Sequence, residues 1–180
     1  GDVGSGKTIV SLLSIANVID DKYQCALMAP TEILAKQHFL LAKKIFINTK
    51  IKIEFLSGKT ELKDRKKILK DLEGGNIHFI IGTHSLFQKK INFKNLGLAV
   101  IDEQHKFGVK QRSELAKKGG NNCDVLLMSA TPIPRTMMMS LYGDMDISKI
   151  SEKPANRKKI ITLSKPEKKI NDLWPFIKKQ

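Results

Sequence analysis

Cysteine is nearly absent. Cys25 and Cys123 are the only two, too few and too far apart for a disulfide framework or a cysteine-based zinc site. Both lie in apolar, strand-like surroundings, so reduced core thiols and a cytoplasmic location are expected. The four histidines, His38, His78, His84 and His105, show no ligand spacing. No apolar run approaches the roughly 18 residues of a membrane-spanning helix, and no leader peptide is visible, so no membrane partner is expected. An N-K-x-D element for guanine selection is missing, which argues against a regulatory GTPase. Acidic residues are also scarce: 18 Asp and Glu stand against 32 Lys and Arg, a formal charge of +14. That excess, nearly all lysine, favours a polyanionic partner, for which nucleic acid is the usual candidate. A general lysine bias in composition gives the same number.

What is present starts at the first residue. Gly1-Asp2-Val3-Gly4-Ser5-Gly6-Lys7-Thr8 fits G-x-x-x-x-G-K-[ST]. Glycines let backbone N–H groups crowd around phosphate oxygens with no Cβ in the way. The helix that follows offers unpaired N–H groups and its dipole to an anion. Lys7 supplies an ammonium for the terminal phosphates, and Thr8 a hydroxyl for magnesium, a hard cation that prefers oxygen. The bland alternative is a glycine-rich surface turn. The apolar run Ile9–Ala16, which can be buried as a helix behind the loop, argues against it. Such a loop normally joins a strand to a helix. No residue precedes Gly1, so the chain is expected to be an N-terminally truncated piece of a larger protein.

At 180 residues the chain allows one domain, or one domain and the start of another. Nearly continuous apolar runs at 24–29, 51–56, 77–81, 98–102 and 125–129 read as strands buried on both faces of a mainly parallel sheet. They alternate with helical patterns at 7–20, 32–47, 61–73, 111–118 and 134–142. Strand–helix repetition of this kind is an α/β layered fold. Residues 119–122 form a turn cluster. Composition changes after residue 150: 151–159 is polar and linker-like, 160–163 reads as a strand and 167–179 as a helix. The expected organisation is one domain at 1–150, a linker at 151–159 and the start of a second domain at 160–180.

The run Leu98-Ala99-Val100-Ile101 ends in Asp102-Glu103-Gln104-His105. In a parallel sheet the C-terminal strand ends line the ligand crevice. Asp102 is placed to hold magnesium and Glu103 to orient and deprotonate an attacking water. Alone, an Asp-Glu pair at a strand end is an ordinary turn feature. Combined with a phosphate loop upstream, it reads as an ATPase.

Asp102-Glu103-Gln104-His105 resembles the DExH box of superfamily-two helicases. Ser129-Ala130-Thr131 is similar to their S-A-T motif, and Ala29-Pro30-Thr31-Glu32 and Gly82-Thr83-His84 to two motifs that touch the nucleic-acid backbone. The stretches Ala29–Ala35, Asp102–Val109 and Ser129–Thr136, with the opening loop, resemble the RecG family of ATP-dependent branched-DNA helicases. The motor of the transcription-repair coupling factor is a near relative. It usually carries Glu where Gln104 stands and a different residue at Glu32, so both positions favour RecG.

The resemblance implies a RecA-like P-loop motor domain that uses ATP and Mg2+ on forked or branched duplex DNA, followed by the start of a second RecA-like domain. The rest of such a protein, a wedge domain and the remaining motor with its arginine fingers, would be needed for activity, so the isolated segment is expected to be inactive. It implies that Gly1 to Thr8 bind nucleotide, with Lys7, Asp102 and Glu103 catalytic and Thr8 and Asp102 at the metal. Gln104 and His105 would also bind the nucleotide and link it to the interdomain cleft. Thr31, Thr83, His84, Ser129, Thr131 and Arg135 become candidates for DNA contact or coupling. Each keeps a plainer alternative. Thr31 can simply cap a helix, His84 can be a loop residue and Arg135 a solvated helix start, while Ser129 and Thr131 can satisfy buried backbone groups.

Overall fold

The computed structural model describes residues 1–88, 90–103, 118, 123–130, 146–152, 162 and 173–178. The helices expected at 111–118 and 134–142, the turn at 119–122 and the strand at 160–163 lie outside these residues, apart from Lys118 and Thr162.

Among the described residues five strands, β1 (Gln24–Met28), β2 (Ile53–Leu56), β3 (Phe79–Gly82), β4 (Leu96–Ile101) and β5 (Asp124–Leu127), form one sheet in the order β2-β3-β1-β4-β5. Every pairing among them is parallel. Among the described residues the helices are α1 (Lys7–Asp20), α2 (Glu32–Ile45), α3 (Leu62–Glu73) and a short α4 (Leu173–Lys178), which falls inside the helix expected at 167–179. The expected parallel α/β architecture is therefore the observed one.

β1, β3 and β4 are buried at every residue, which is why they read as unbroken apolar runs rather than as alternating ones. Successive side chains point to opposite faces. Cys25, Leu27, Phe79, Ile81, Leu98 and Val100 pack on one face, with Leu12, Ile15 and Ile19 of α1 and Ala35 and Ala42 of α2. Ala26, Met28, Ile80, Ala99 and Ile101 pack on the other, with Leu72 of α3 and Leu86 and Ile91 of the β3–β4 connection. The chain leaves β1 past β3 to reach β2, then turns back to β3. Crossovers of one hand place helices on opposite faces when the direction of travel reverses, as α2 and α3 are here. Each fully buried Leu or Ile contributes about 2 kcal/mol, so the two layers hold the strand ends in fixed register.

β5 departs from expectation. Its first residue is exposed and the other three are half-buried, although its apolar run resembles the central strands. Both cysteines are free thiols. Burial raises the Cys25 thiol to about 12, helped by the neighbouring Cys123, and Cys123 itself to about 11.

Candidate nucleotide and nucleic-acid site

The strands end together. Met28 pairs with Gly82 and Ile101, and Ile101 with Leu127. One further rung continues the ladder: Ala29 donates to the Gly82 carbonyl at 3.0 Å, Asp102 to Met28 at 2.9 Å and Met128 to Ile101 at 2.9 Å. Thr31, Thr83, His84, Asp102, Glu103 and Ser129 all lie just beyond this line, at the C-terminal end of the sheet. The opening loop arrives at the same end, where the Gly1 backbone nitrogen lies 3.4 Å from the Ser129 carbonyl oxygen. The start of the loop thus stands just beyond the end of β5, the strand paired with β4.

The loop is built for close approach. Gly4 and Gly6 have φ of 81° and 94°, values that L side chains rarely adopt. Gly6 is the N-cap of α1 and has no side chain with which to cap it, so the first N–H groups of the helix are open to an anion with the dipole behind them. A Cβ on Gly1 would meet Ser5 Oγ at 2.6 Å and Ile150 Cβ at 3.0 Å. Ser5 Oγ is buried with no hydrogen-bond partner among the described residues. Lys7 Nζ reaches back across the loop and donates to the carbonyls of Gly1 at 2.7 Å and Asp2 at 2.9 Å. Thr8, half-buried, accepts a hydrogen bond from Ser11 Oγ on its carbonyl at 2.8 Å. An uncapped helix start, positive-φ glycines, an orphaned hydroxyl and an adjacent ammonium fit a bound oxyanion.

Asp102 is 8% exposed, and each of its carboxylate oxygens has a protein donor. Oδ1 accepts the Glu103 N–H at 2.9 Å, and Oδ2 accepts His38 Nε2–H at 2.8 Å. Glu103 has φ of 49°, an uncommon conformation for a residue with a Cβ, of the kind that collects at functional sites. Among the described residues no three His, Cys, Asp or Glu side chains gather to hold a metal unaided. A single oriented carboxylate fits magnesium, which keeps waters and draws other ligands from substrate phosphates.

Thr31 is the N-cap of α2, and its Oγ1 accepts the Leu34 N–H at 3.3 Å. Capping is thus observed for this exposed residue, which leaves its hydroxyl at the sheet's open end. Thr83 is 5% exposed and starts a short 3-10 helix, His84–Phe87, that the sequence did not announce. His84, a candidate for DNA contact with a loop residue as the plainer alternative, is the exposed first residue of that turn. Ser129 is half-buried and holds Gly1 through its carbonyl. Gln104, His105, Thr131 and Arg135 lie outside the described residues.

His38 was missed. Its partner is 64 positions away, and no motif spacing could link the two. The only hint was a histidine on the expected helix two turns after Thr31.

A family model described as "DEAD/DEAH box helicase" matches residues 1–140. "ATP-dependent DNA helicase RecG" of Thermotoga maritima is 45% identical over 180 residues, which is 100% of this chain and 23% of that protein. The protein of the same name in Aquifex aeolicus is 50% identical over 163 residues, 90% of this chain and 21% of its own length. A solved structure, "Structure of RecG bound to three-way DNA junction", superposes with a TM-score of 0.83 at 41% identity, covering 98% of this chain and 24% of that one. The chain thus spans about a quarter of the length of these relatives. It belongs to the DEAD/DEAH box helicase family, and the branch it resembles from end to end is RecG.

Proposed function

We propose that this chain is the nucleotide-binding motor segment of an ATP-dependent DNA helicase that acts on branched DNA in fork rescue, recombination and repair, in the cytoplasm. The observation that carries this reading is that the phosphate loop and the Asp102–Glu103 pair share one end of one parallel sheet. The identity to RecG relatives and the likeness to a RecG structure with a three-way DNA junction support the substrate class. They give no support to the coupling-factor alternative.

In this reading the loop from Gly1 to Thr8 cradles the triphosphate of ATP with backbone N–H groups, and Lys7 turns its ammonium from the loop carbonyls to the terminal phosphates. Thr8 and Asp102 hold Mg2+, which neutralises charge on the phosphates when bound. Glu103 accepts a proton from the attacking water. Gln104 and His105 carry the state of the nucleotide to the interdomain cleft. Thr31, Thr83, His84, Ser129, Thr131 and Arg135 touch the DNA backbone or relay its presence, and such contacts suit a motor that must run on any sequence. The domain division stays as proposed, with 1–150 the first motor domain, 151–159 a linker and 160–180 the start of the second. Arginines from that second domain complete the site, so the isolated segment is inactive.

Lys7→Ala in the full-length helicase tests this. DNA-stimulated ATP hydrolysis should fall by about 10²-fold or more, the scale of losing a donor to developing charge, while DNA binding stays measurable. ATP turnover at the wild-type rate would reject the role given to Lys7.

A further inference from the structure

His38 lies seven positions after the Thr31 cap, about 10 Å along the axis of α2 at 1.5 Å per residue. It shares the inner stripe of that helix with Ala35 and Ala42, both 0% exposed. Two alanines let the helix lie close on the sheet, so the imidazole between them reaches the end of β4. There Asp102 is already fixed at its backbone by the hydrogen bond to Met28, and the rotation of its carboxylate is the remaining freedom. The Glu103 N–H on Oδ1 and His38 Nε2–H on Oδ2 remove it. A carboxylate has about four lone-pair sites, so this arrangement leaves one on each oxygen for a cation or its water.

We propose that His38 is a positioning residue: its Nε2–H sets the orientation in which Asp102 meets magnesium, and it makes α2, the helix capped by Thr31, part of the support of the metal site. The proposal rests on the assignment of Asp102 to magnesium made above. The donor, rather than a charge, is what matters, because a neutral imidazole with its proton on Nε2 makes the same bond. Partners that orient a metal ligand typically change metal affinity 10–100-fold when removed.

The test compares His38→Leu, which keeps most of the volume and loses the donor, with His38→Gln, which keeps an N–H donor. Both are made in the full-length helicase. Affinity for Mn2+ in the presence of a non-hydrolysable ATP analogue is read by electron paramagnetic resonance, so no turnover is needed. His38→Leu should weaken Mn2+ binding about 10–100-fold, and His38→Gln should stay within about threefold of wild type. Unchanged affinity in His38→Leu, or an equal loss in both variants, overturns the proposal. Asp102→Ala separates the two layers of the argument. If it abolishes Mn2+ binding while His38→Leu does not weaken it, only the role of His38 fails. If Asp102→Ala binds Mn2+ as wild type does, the metal assignment fails and the proposal with it.

Discussion

At the N-terminal end of the sheet one buried side chain ties several elements together. Gln24, 4% exposed, donates to the carbonyls of Leu72 at 2.9 Å and Ile77 at 2.7 Å, and its Oε1 accepts the N–H groups of Lys94 at 2.8 Å and Asn95 at 3.1 Å. Both atoms of the amide work, and they tie the end of α3 to the starts of β3 and β4. The C-terminal end is finished the other way. There α1 starts with no side-chain cap, Ser5 Oγ is buried without a partner among the described residues, and Glu103 sits at φ 49°. One end pairs its buried amide wholly within the protein, while the other leaves a buried hydroxyl without a partner among the described residues and a helix start that its glycine N-cap cannot cap. Buried polar groups left unmatched are costly, and natural folds keep such rule-breaking at sites that bind something.

The sharpest way to break this contrast is Gln24→Leu. It strips a partner from four backbone groups, and a buried orphan costs about 1–3 kcal/mol. Some of the four sit near enough to the surface to find water, so we expect a loss of about 2–5 kcal/mol in total. Hydrogen exchange in β1, β3 and β4 of the full-length protein should quicken by about 10²-fold or more. Nucleotide affinity of the folded protein should change little. A loss of nucleotide affinity as large as the loss of protection would mean that the two ends are not separate in function.

How far the sequence could be read follows the same division. β1, β3 and β4 were legible because burial on both faces leaves only apolar residues, and their observed limits differ from the expected ones by two residues or fewer. α1 was legible end to end because the Gly-Lys-Thr start and the apolar stripe coincide. The phosphate loop and the Asp-Glu pair are contiguous in the chain, so their chemistry was visible without coordinates. β5 was misjudged as fully buried, since an apolar run does not say how many neighbours will cover it. The 3-10 turn at His84–Phe87 is too short to show a period. Gln24 and His38 were invisible as a clamp and a support, because each acts on groups 48 or more positions away. Local chemistry can be read along a chain, whereas pairing across the sheet depends on packing.

A smaller effect on stability, with a large one on chemistry, is expected at Glu103. Replacing it by glycine relieves a left-handed conformation worth about 1–2 kcal/mol but adds about 0.5–1 kcal/mol of backbone entropy to the unfolded chain. Glu103→Gly should therefore leave stability within about 1 kcal/mol of wild type or slightly above it. ATP turnover should fall by about 10²-fold or more, the scale of a general base. Calorimetry and ATPase assays on the same preparation give both readings. A stability loss like that of Gln24→Leu would mean that the open end also holds the fold together.

The smallest effect belongs to the surface margin of the closed end. Lys52 Nζ donates to Asp71 Oδ2 at 3.1 Å and Asn76 Nδ2 to Oδ1 at 3.4 Å. These two bonds, that of Lys52 foremost, hold the Asp71 carboxyl below the usual carboxylate range. A carboxylate with a lowered folded pKa adds stability above its unfolded value of about 3.9, and that share fades as pH drops through the folded value. Asp71→Asn should therefore be slightly less stable than wild type in urea at pH 7 and pH 5. The gap should close as the pH falls below about 4. Because the pair faces water, added salt should shrink the gap at neutral pH as well. A gap that ignores both pH and salt would assign the contribution of Asp71 to packing instead of charge. In that case the rim of the closed end would add no charge-dependent stability to what the buried Gln24 amide and the core supply.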